Sequence, residues 1–216
     1  MVGRVLLACF SFKTVQEIRA EVNRRNLLVG RWSRTPMSLA TVSKALKTLE
    51  EDLIVGRDGQ IRLLQPDKLL EKLSQSFTLP QLTARARMKV SLEGTAIYEI
   101  LGRRSEELNL PIVATGITSA GRYTVMQRGE MISIYCPRAK ILLERLPGSQ
   151  TDRFPDLEIL ETADETVYFD ARQEDSFIWA SPVQVYLELM AGDKRDQETA
   201  AQIEDNLLRS FKEAQS

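Results

Sequence analysis

Histidine is absent from the 216 residues of this chain, and cysteine occurs only twice, as Cys9 and Cys136. The lack of histidine excludes Ser-His-Asp and Cys-His nucleophilic sites and every metal site that needs an imidazole ligand. Two cysteines are too few for a disulfide framework or a cysteine zinc cluster. Catalysis would have to depend on carboxylates, lysine, tyrosine or the backbone. From the sequence as a whole we expect no enzyme activity, no cofactor and no bound metal, with a carboxylate-based enzyme as the alternative considered below.

Long apolar runs are absent too, since none approaches the ~20 residues of a membrane span. The segment 6–9 is similar to a lipoprotein cleavage box. The apolar stretch 5–10 that contains it is shorter than the roughly 7–15 apolar residues of a signal peptide. We interpret this stretch as a short buried first helix, and we expect a cytoplasmic protein that does not associate with membranes.

Charge of either sign is abundant but unevenly distributed along the chain. Residues 1–90 contain 16 Lys and Arg against 8 Asp and Glu, whereas residues 91–216 contain 13 against 22. The first part therefore carries a net charge of +8 and the second −9, which together give the overall −1. Such an asymmetry is typical of a segment that binds a polyanion joined to a different domain. The alternative is a chance distribution of solvated surface charge.

The most informative stretch is residues 39–53. Its leucines and valine recur every three or four residues, which predicts an amphipathic helix with Ser38 as its N-cap. The apolar stripe consists of Leu39, Val42, Leu46, Leu49 and Leu53. The opposite face consists of Ala40, Thr41, Lys44, Lys47 and Thr48. Small, hydroxyl-bearing and basic side chains suit a helix that enters the DNA major groove. Acidic residues 50–52 at the far end would be repelled by phosphate, so the N-terminal half is expected to approach DNA.

A hairpin follows this helix. Asp58-Gly59 lies between two short β-prone runs, which predicts a two-stranded hairpin over residues 54–64. With the first helix and a second one over 14–23, the order of elements is that of a winged helix-turn-helix. The predicted DNA contacts are Arg34, Ser38, Thr41, Ser43, Lys44, Lys47, Arg57 and Arg62. Winged helices also serve as protein-interaction modules, and that alternative stays open.

The acidic part of the chain is expected to form a second domain. We predict an α+β protein with a winged-helix DNA-binding domain over 1–77 and a small α/β domain over 78–216. In the second domain, residues 78–88 are predicted to be a loop, and helices are predicted over 90–101, near 105–109, over 183–191 and after Asp196 as N-cap. Gly102 is expected to end the first of these helices. Strands are predicted over 111–115, 123–126, 131–136, 141–146, 157–160, 166–170 and 177–180.

Two stretches have some features of ligand sites. Residues 116–121 follow a predicted strand and could present backbone amides to an anion, although a tight turn explains them as well. Gly148-Ser149 precedes Asp156 and Glu158, as in enzymes that hold Mg²⁺ with paired carboxylates. This pattern supports an alternative function, a divergent nucleotidyltransferase, against the simpler interpretation of a surface loop with scattered acids. Trp179 is expected to be a core residue.

Several short segments resemble AbiEi-type antitoxins. They are residues 38–49, the hairpin, residues 65–70, 114–120 and 180–189, and Ala200-Ala-Gln-Ile203. The resemblance implies a winged-helix transcriptional repressor that binds its own promoter and counters a nucleotidyltransferase-like toxin. It further implies a C-terminal domain with a degenerate nucleotidyltransferase fold, through which a cognate toxin or another protein would bind. One recognition helix contacts only a few base pairs, so we expect such a repressor to act as a homodimer.

Overall fold

The computed structural model describes residues 1–26, 36–92, 95–125 and 131–214. The N-terminal third combines helices with a small antiparallel sheet. Its elements are α1 (Val2–Cys9), β1 (Ser11–Phe12), α2 (Val15–Arg25), α3 (Leu39–Glu51), β2 (Val55–Arg57), β3 (Ile61–Leu63) and α4 (Pro66–Ser76). The sheet has the order β1-β3-β2, so the short strand before α2 pairs with the predicted hairpin.

Local sequence explains where α3 begins and ends. The Ser38 hydroxyl accepts the backbone N–H of Thr41 at 3.1 Å, which confirms the predicted N-cap. Val42, Leu46 and Leu49 are buried, so this part of the predicted apolar stripe is also confirmed. Leu53 was wrongly included in the stripe. It follows the helix with a φ of 58°, and 69% of its surface is exposed.

The remainder of the chain is built around a mixed sheet of seven strands. Its order is β7-β4-β8-β6-β5-β10-β9, with β6–β8 and β5–β10 parallel and the other pairs antiparallel. The strands are β4 (Ala84–Val90), β5 (Val113–Ala114), β6 (Ile132–Cys136), β7 (Gly148–Gln150), β8 (Leu157–Glu161), β9 (Arg172–Glu174) and β10 (Phe177–Trp179). The helices are α5 (Ala96–Leu108), α6 (Gly116–Ala120), α7 (Ala139–Leu143), α8 (Pro182–Met190) and α9 (Lys194–Glu213).

Several predictions for this part are wrong. The predicted loop 78–88 contains most of β4, an interior strand of the sheet, and Val90 ends β4 instead of beginning a helix. The predicted strand 141–146 overlaps the end of α7, and the predicted strand 166–170 overlaps a 3₁₀ turn, Glu165–Tyr168. Residues 123–125 form no strand. The N-cap of α9 is Asp193, whose carboxylate accepts two backbone N–H groups of the first turn.

Gly102 does not end a helix but lies inside α5. A Cβ atom at this position would lie 1.8 Å from the backbone oxygen of Ser176, just before β10. Glycine is therefore required because the helix backbone passes directly against another segment of backbone. The two predicted helices on either side of Gly102 are accordingly one continuous helix.

Buried side chains cover both faces of the large sheet. One cluster fills the face that α5 and α7 cover. The other lies beneath α8 and α9 and continues without a break into the interior of α1–α4. The predicted domain boundary after residue 77 falls between α4 and β4, so the second cluster spans it. No helix within the described ranges has the length and apolarity needed to cross a membrane.

Polar contacts also join the N-terminal helices to the rest of the chain. The buried Arg4 of α1 donates a hydrogen bond from Nη1 to the backbone oxygen of Thr166 at 3.0 Å. Burial lowers the pKa of the Arg4 guanidinium. The charge of the Glu188 carboxyl raises this pKa and is the largest of the effects that oppose burial. The rings of Phe10 and of Phe211 in α9 are nearly perpendicular to each other, with their centroids 5.3 Å apart. The N-terminal elements are thus anchored by polar and apolar contacts together.

Candidate nucleic-acid interface

The solvent-facing side of α3 has the composition that the sequence predicts. Thr41, Lys44, Lys47 and Thr48 are all exposed, and Ser43 is half-buried. Lys44 forms no ion pair with any described residue, whereas Lys47 Nζ lies 3.8 Å from Glu51 Oε1. An exposed pair at that distance contributes little. The N-terminal and middle turns of α3 therefore present cationic and hydroxyl groups to solvent.

Two of the predicted contact residues also form the helix cap. The hydroxyls of Ser38 and Thr41 are hydrogen-bonded to each other at 2.9 Å. Either hydroxyl can be the donor, so the other retains a hydrogen for an outside acceptor such as a phosphate or a base edge. These two residues are thus structural in the free protein and still able to form a further bond.

The two hairpin arginines project from opposite faces of the small sheet. In the register of β2 and β3, Arg57 is paired with Ile61 and Arg62 with Gly56. Because directly opposite residues share a face, Arg57 lies on the face of the buried Ile61, and Arg62 lies on the outer face. Arg57 Nε is 3.3 Å from Glu50 Oε2, which ties the hairpin to the end of α3. Arg62 is exposed without an ion pair among the described residues. The structure therefore does not bring the two arginines together.

Part of the positive charge of residues 1–90 belongs to the large sheet. Arg87 Nε lies 2.8 Å and Arg85 Nε 3.7 Å from Glu158 Oε1, and Lys89 Nζ lies 3.1 Å from Asp156 Oδ2. These three cations of β4 thus lie against two acids at or next to β8. The positive charge on the N-terminal elements is smaller than the +8 of residues 1–90. Arg34, which was also predicted to contact DNA, lies outside the described residues.

The acids of these ion pairs, Asp156 and Glu158, are also the two carboxylates on which the alternative function, a nucleotidyltransferase, depends. Besides Lys89, Asp156 accepts the backbone N–H of Val90 through Oδ1 at 2.7 Å. Glu158 is buried at 7% exposure and bound to Arg87. Gly148 lies in β7 instead of in a phosphate-binding turn. Across the ranges that the structure describes, no group of three histidine, cysteine or acidic side chains is placed to hold a metal ion.

The backbone amide at the start of α6 is already occupied. Gly116 N–H donates to Glu188 Oε2 at 2.8 Å, the Thr115 hydroxyl bonds the same oxygen, and Gln184 Nε2 donates to Oε1 at 2.6 Å. Burial raises the pKa of Glu188, and these hydrogen bonds oppose that shift. An internal acceptor, the carboxyl of Glu188, thus takes the place of the external anion that residues 116–121 could have bound.

Sequence reasoning missed one feature of the interface and one of the large sheet. The pairing of β1 with β3 had no turn or motif to indicate it. The strand β4 could have been found from its period, because cations and apolar or small residues alternate along Ala84–Val90. Comparison of the chain with protein-family models, with curated proteins and with solved structures gave no match.

Proposed function

We propose that this protein binds duplex DNA through α3 and the β2–β3 hairpin, in the manner of a winged helix-turn-helix. The observation that carries the proposal is the exposed face of α3, where Lys44 lies between Thr41 and Thr48 and has no ion-pair partner in the part of the chain that the structure describes. An α-helix fits the major groove, where lysine and threonine can contact base edges and phosphates. The small sheet β1-β3-β2 supports this hypothesis, because α3 is followed directly by an antiparallel hairpin, which is the order of elements in a winged helix.

The orientation on DNA follows from the charges along α3. The acidic residues Glu50, Glu51 and Asp52 lie at its C-terminal end. Repulsion from phosphate would keep that end away from the duplex, so the Ser38 end is the one that enters the groove. Contacts near a helix N-terminus are typical of recognition helices.

The number of exposed cations on this surface limits how strongly the affinity for DNA should depend on salt concentration. These cations are Lys44, Lys47 and Arg62, whereas Arg57 lies on the inner face of the hairpin and is paired with Glu50. If each of the three neutralises one phosphate, the logarithm of the affinity would fall against the logarithm of salt concentration with a slope of about −3.

A role as a repressor, an antitoxin-like partner for a toxin, and a homodimeric state are finer parts of this proposal. They are supported by the resemblance of the short segments to AbiEi-type antitoxins and by the geometry of half-site recognition. The competing proposal, a protein-interaction module, predicts that no duplex is preferred.

The test is a selection from a random duplex library with the full-length protein, followed by affinity measurements on the selected and a scrambled duplex. Lys44→Ala should weaken binding to the selected duplex by about 1–3 kcal/mol and affect the scrambled one less. Arg62→Ala should weaken both about equally and reduce the salt slope by about 1. Lys140→Ala is the matched control, since it removes an exposed lysine from α7 in the large-sheet part. Failure to enrich any duplex, or unchanged affinity in a folded Lys44→Ala protein, would refute the proposal.

A further inference from the structure

A cavity of about 570 Å³ opens between α5, α6 and the β9–β10 hairpin, away from α3. Its volume lies within the roughly 300–1,000 Å³ typical of small-molecule sites. One wall is aromatic. The ring centroid of Tyr98 lies 4.9 Å from that of Trp179 and 5.6 Å from that of Phe177, and the last two rings are 5.5 Å apart.

The protein places one of its own cations against this wall. The guanidinium carbon of Arg122 lies 4.2 Å from the centroid of the Trp179 ring. Its two terminal nitrogens lie 3.7 Å from a carboxylate oxygen of Glu174 and 3.3 Å from one of Asp175. The aromatic faces and acidic side chains of this cavity are thus arranged in a way that already accommodates a guanidinium group.

Charge identifies the kind of ligand that fits. The charged residues that line the cavity are Glu99, Glu174, Asp175 and Arg122, so the described lining is acidic by three side chains to one. An anion would have to displace two carboxylates from Arg122 and would then face Glu99. A cation would be attracted by the acidic groups and by the negative faces of the rings.

We propose that this cavity binds a small organic cation, an ammonium or guanidinium group carried on an apolar body. The head group would lie against the aromatic wall near Glu99, and Ile117 and Ile132 would contact the apolar body. Arg122 is the internal competitor for the Trp179 face. This site is independent of the DNA-binding proposal, and either can fail without the other.

Tryptophan fluorescence gives a direct measurement, because the chain has only two tryptophans, Trp32 and Trp179. In a Trp32→Phe protein the signal comes from the cavity wall alone. The probes are choline and benzylamine, each paired with a neutral counterpart, 3,3-dimethylbutan-1-ol and benzyl alcohol, and benzoate as an anion. At least one cation should give a saturable change and bind about fivefold or more tightly than its neutral counterpart. Equal binding within both pairs, no binding of either cation, or preferred binding of benzoate would overturn the proposal.

Two substitutions test the arrangement of charges. Arg122→Gln should strengthen cation binding, because it uncovers Trp179 and releases Glu174 and Asp175. An anion site would instead lose its ligand with this change. Glu99→Gln should weaken cation binding by about two- to fivefold. Its matched control is Glu106→Gln on the same helix, which does not line the cavity and should leave affinity unchanged. Weaker cation binding in the Arg122→Gln protein would contradict the proposal.

Discussion

Arg25, at the end of α2, is ion-paired with Asp170, which lies 145 residues further along the chain. Only 14% of the Arg25 side chain and 15% of the Asp170 side chain are exposed. Arg25 also bonds Glu21 Oε1 through Nε at 2.8 Å. This pair therefore connects the helices next to the proposed DNA-binding surface with the segment that precedes β9.

Replacing Asp170 by asparagine should show how much its ion pair with Arg25 contributes to the stability of the protein. Asp170 has a φ of 58°, and asparagine tolerates this left-handed conformation, so the substitution removes the charge with little added backbone strain. We expect the free energy of unfolding to fall by about 1–3 kcal/mol, between the values typical of exposed and fully buried pairs. Urea unfolding at neutral pH would measure it. Asp175→Asn is the control, since Asp175 has a similar φ of 55° but its side chain is 82% exposed. Equal effects of the two substitutions would contradict the structural role of the Asp170 pair.

Glu21 gives a prediction for acid conditions. Hydrogen bonds from Arg24 and Arg25 lower its pKa from 4.5 to about 2, against the opposing effect of burial. A carboxyl with a lowered pKa in the folded state stabilises the protein above its unfolded-state value and loses that contribution as the pH falls toward the folded-state value. Glu21→Gln should thus cost about 1–2 kcal/mol at pH 7, an estimate reduced for the exposure of Arg24. The difference between the two proteins should be constant above about pH 5 and shrink steadily toward pH 2. A difference that grows on acidification would contradict this assignment.

Alanine substitutions at Gly102 and Gly121 compare a crowded glycine with an uncrowded one on the cavity side of the large sheet. A methyl group at Gly102 would collide with Ser176 O, whereas one at Gly121 would meet only Thr118 O at 3.8 Å. Gly102→Ala should destabilise the protein by about 1–3 kcal/mol through overpacking and shift the segment before Phe177. Gly121→Ala should change stability by less than about 0.5 kcal/mol. Thermal unfolding of both variants measures the contrast, and similar melting temperatures would show that α5 and Ser176 are not in such close contact.

Leu53 occupies a position at the end of α3 that favours glycine. Its N–H bonds the Glu50 oxygen, and the N–H of Ile54 bonds the Leu49 oxygen, the two bonds of a Schellman motif. A leucine with positive φ costs roughly 1–2 kcal/mol. Glycine removes this strain, but it loses more conformational entropy on folding, and that loss offsets part of the gain. We expect Leu53→Gly to raise the free energy of unfolding by up to about 1 kcal/mol. Leu53→Ala keeps the strain and should be near neutral, and chemical denaturation would distinguish them. A clear loss of stability with glycine would contradict the prediction.

Local chemistry explains which elements could be predicted from sequence. The Ser38 cap, the Val42–Leu49 stripe and the Asp58-Gly59 turn each depend on residues a few positions apart, and the structure contains all three. The strand β4 has a local signal, the alternation of cations with apolar or small residues, but its place inside the large sheet depends on pairing with β8, about 70 residues away. The β-prone run in α7 was misassigned for the related reason that tertiary packing overrides local propensity.

The candidate sites differ in the same way, according to whether their residues lie close together in the sequence. The face of α3 could be predicted because helical period alone places Thr41, Lys44 and Thr48 together. The cavity could not, since Tyr98, Arg122 and Trp179 come from three distant parts of the chain and form no short motif. Trp179 was expected in the core, and it is indeed only 4% exposed, yet it also lines the cavity.

The buried cluster that runs from α1–α4 into α8 and α9 limits how the chain can be rearranged. Helix α4 packs against both α8 and α9, and Phe10 packs against Phe211 near the end of α9. Residues 1–77 therefore cannot be moved to another protein as a self-contained domain, because separating them would expose apolar side chains on both fragments. A hybrid protein would have to carry α8 and α9 along with the N-terminal helices, and calorimetry of the intact chain should accordingly record one heat-absorption peak for both parts.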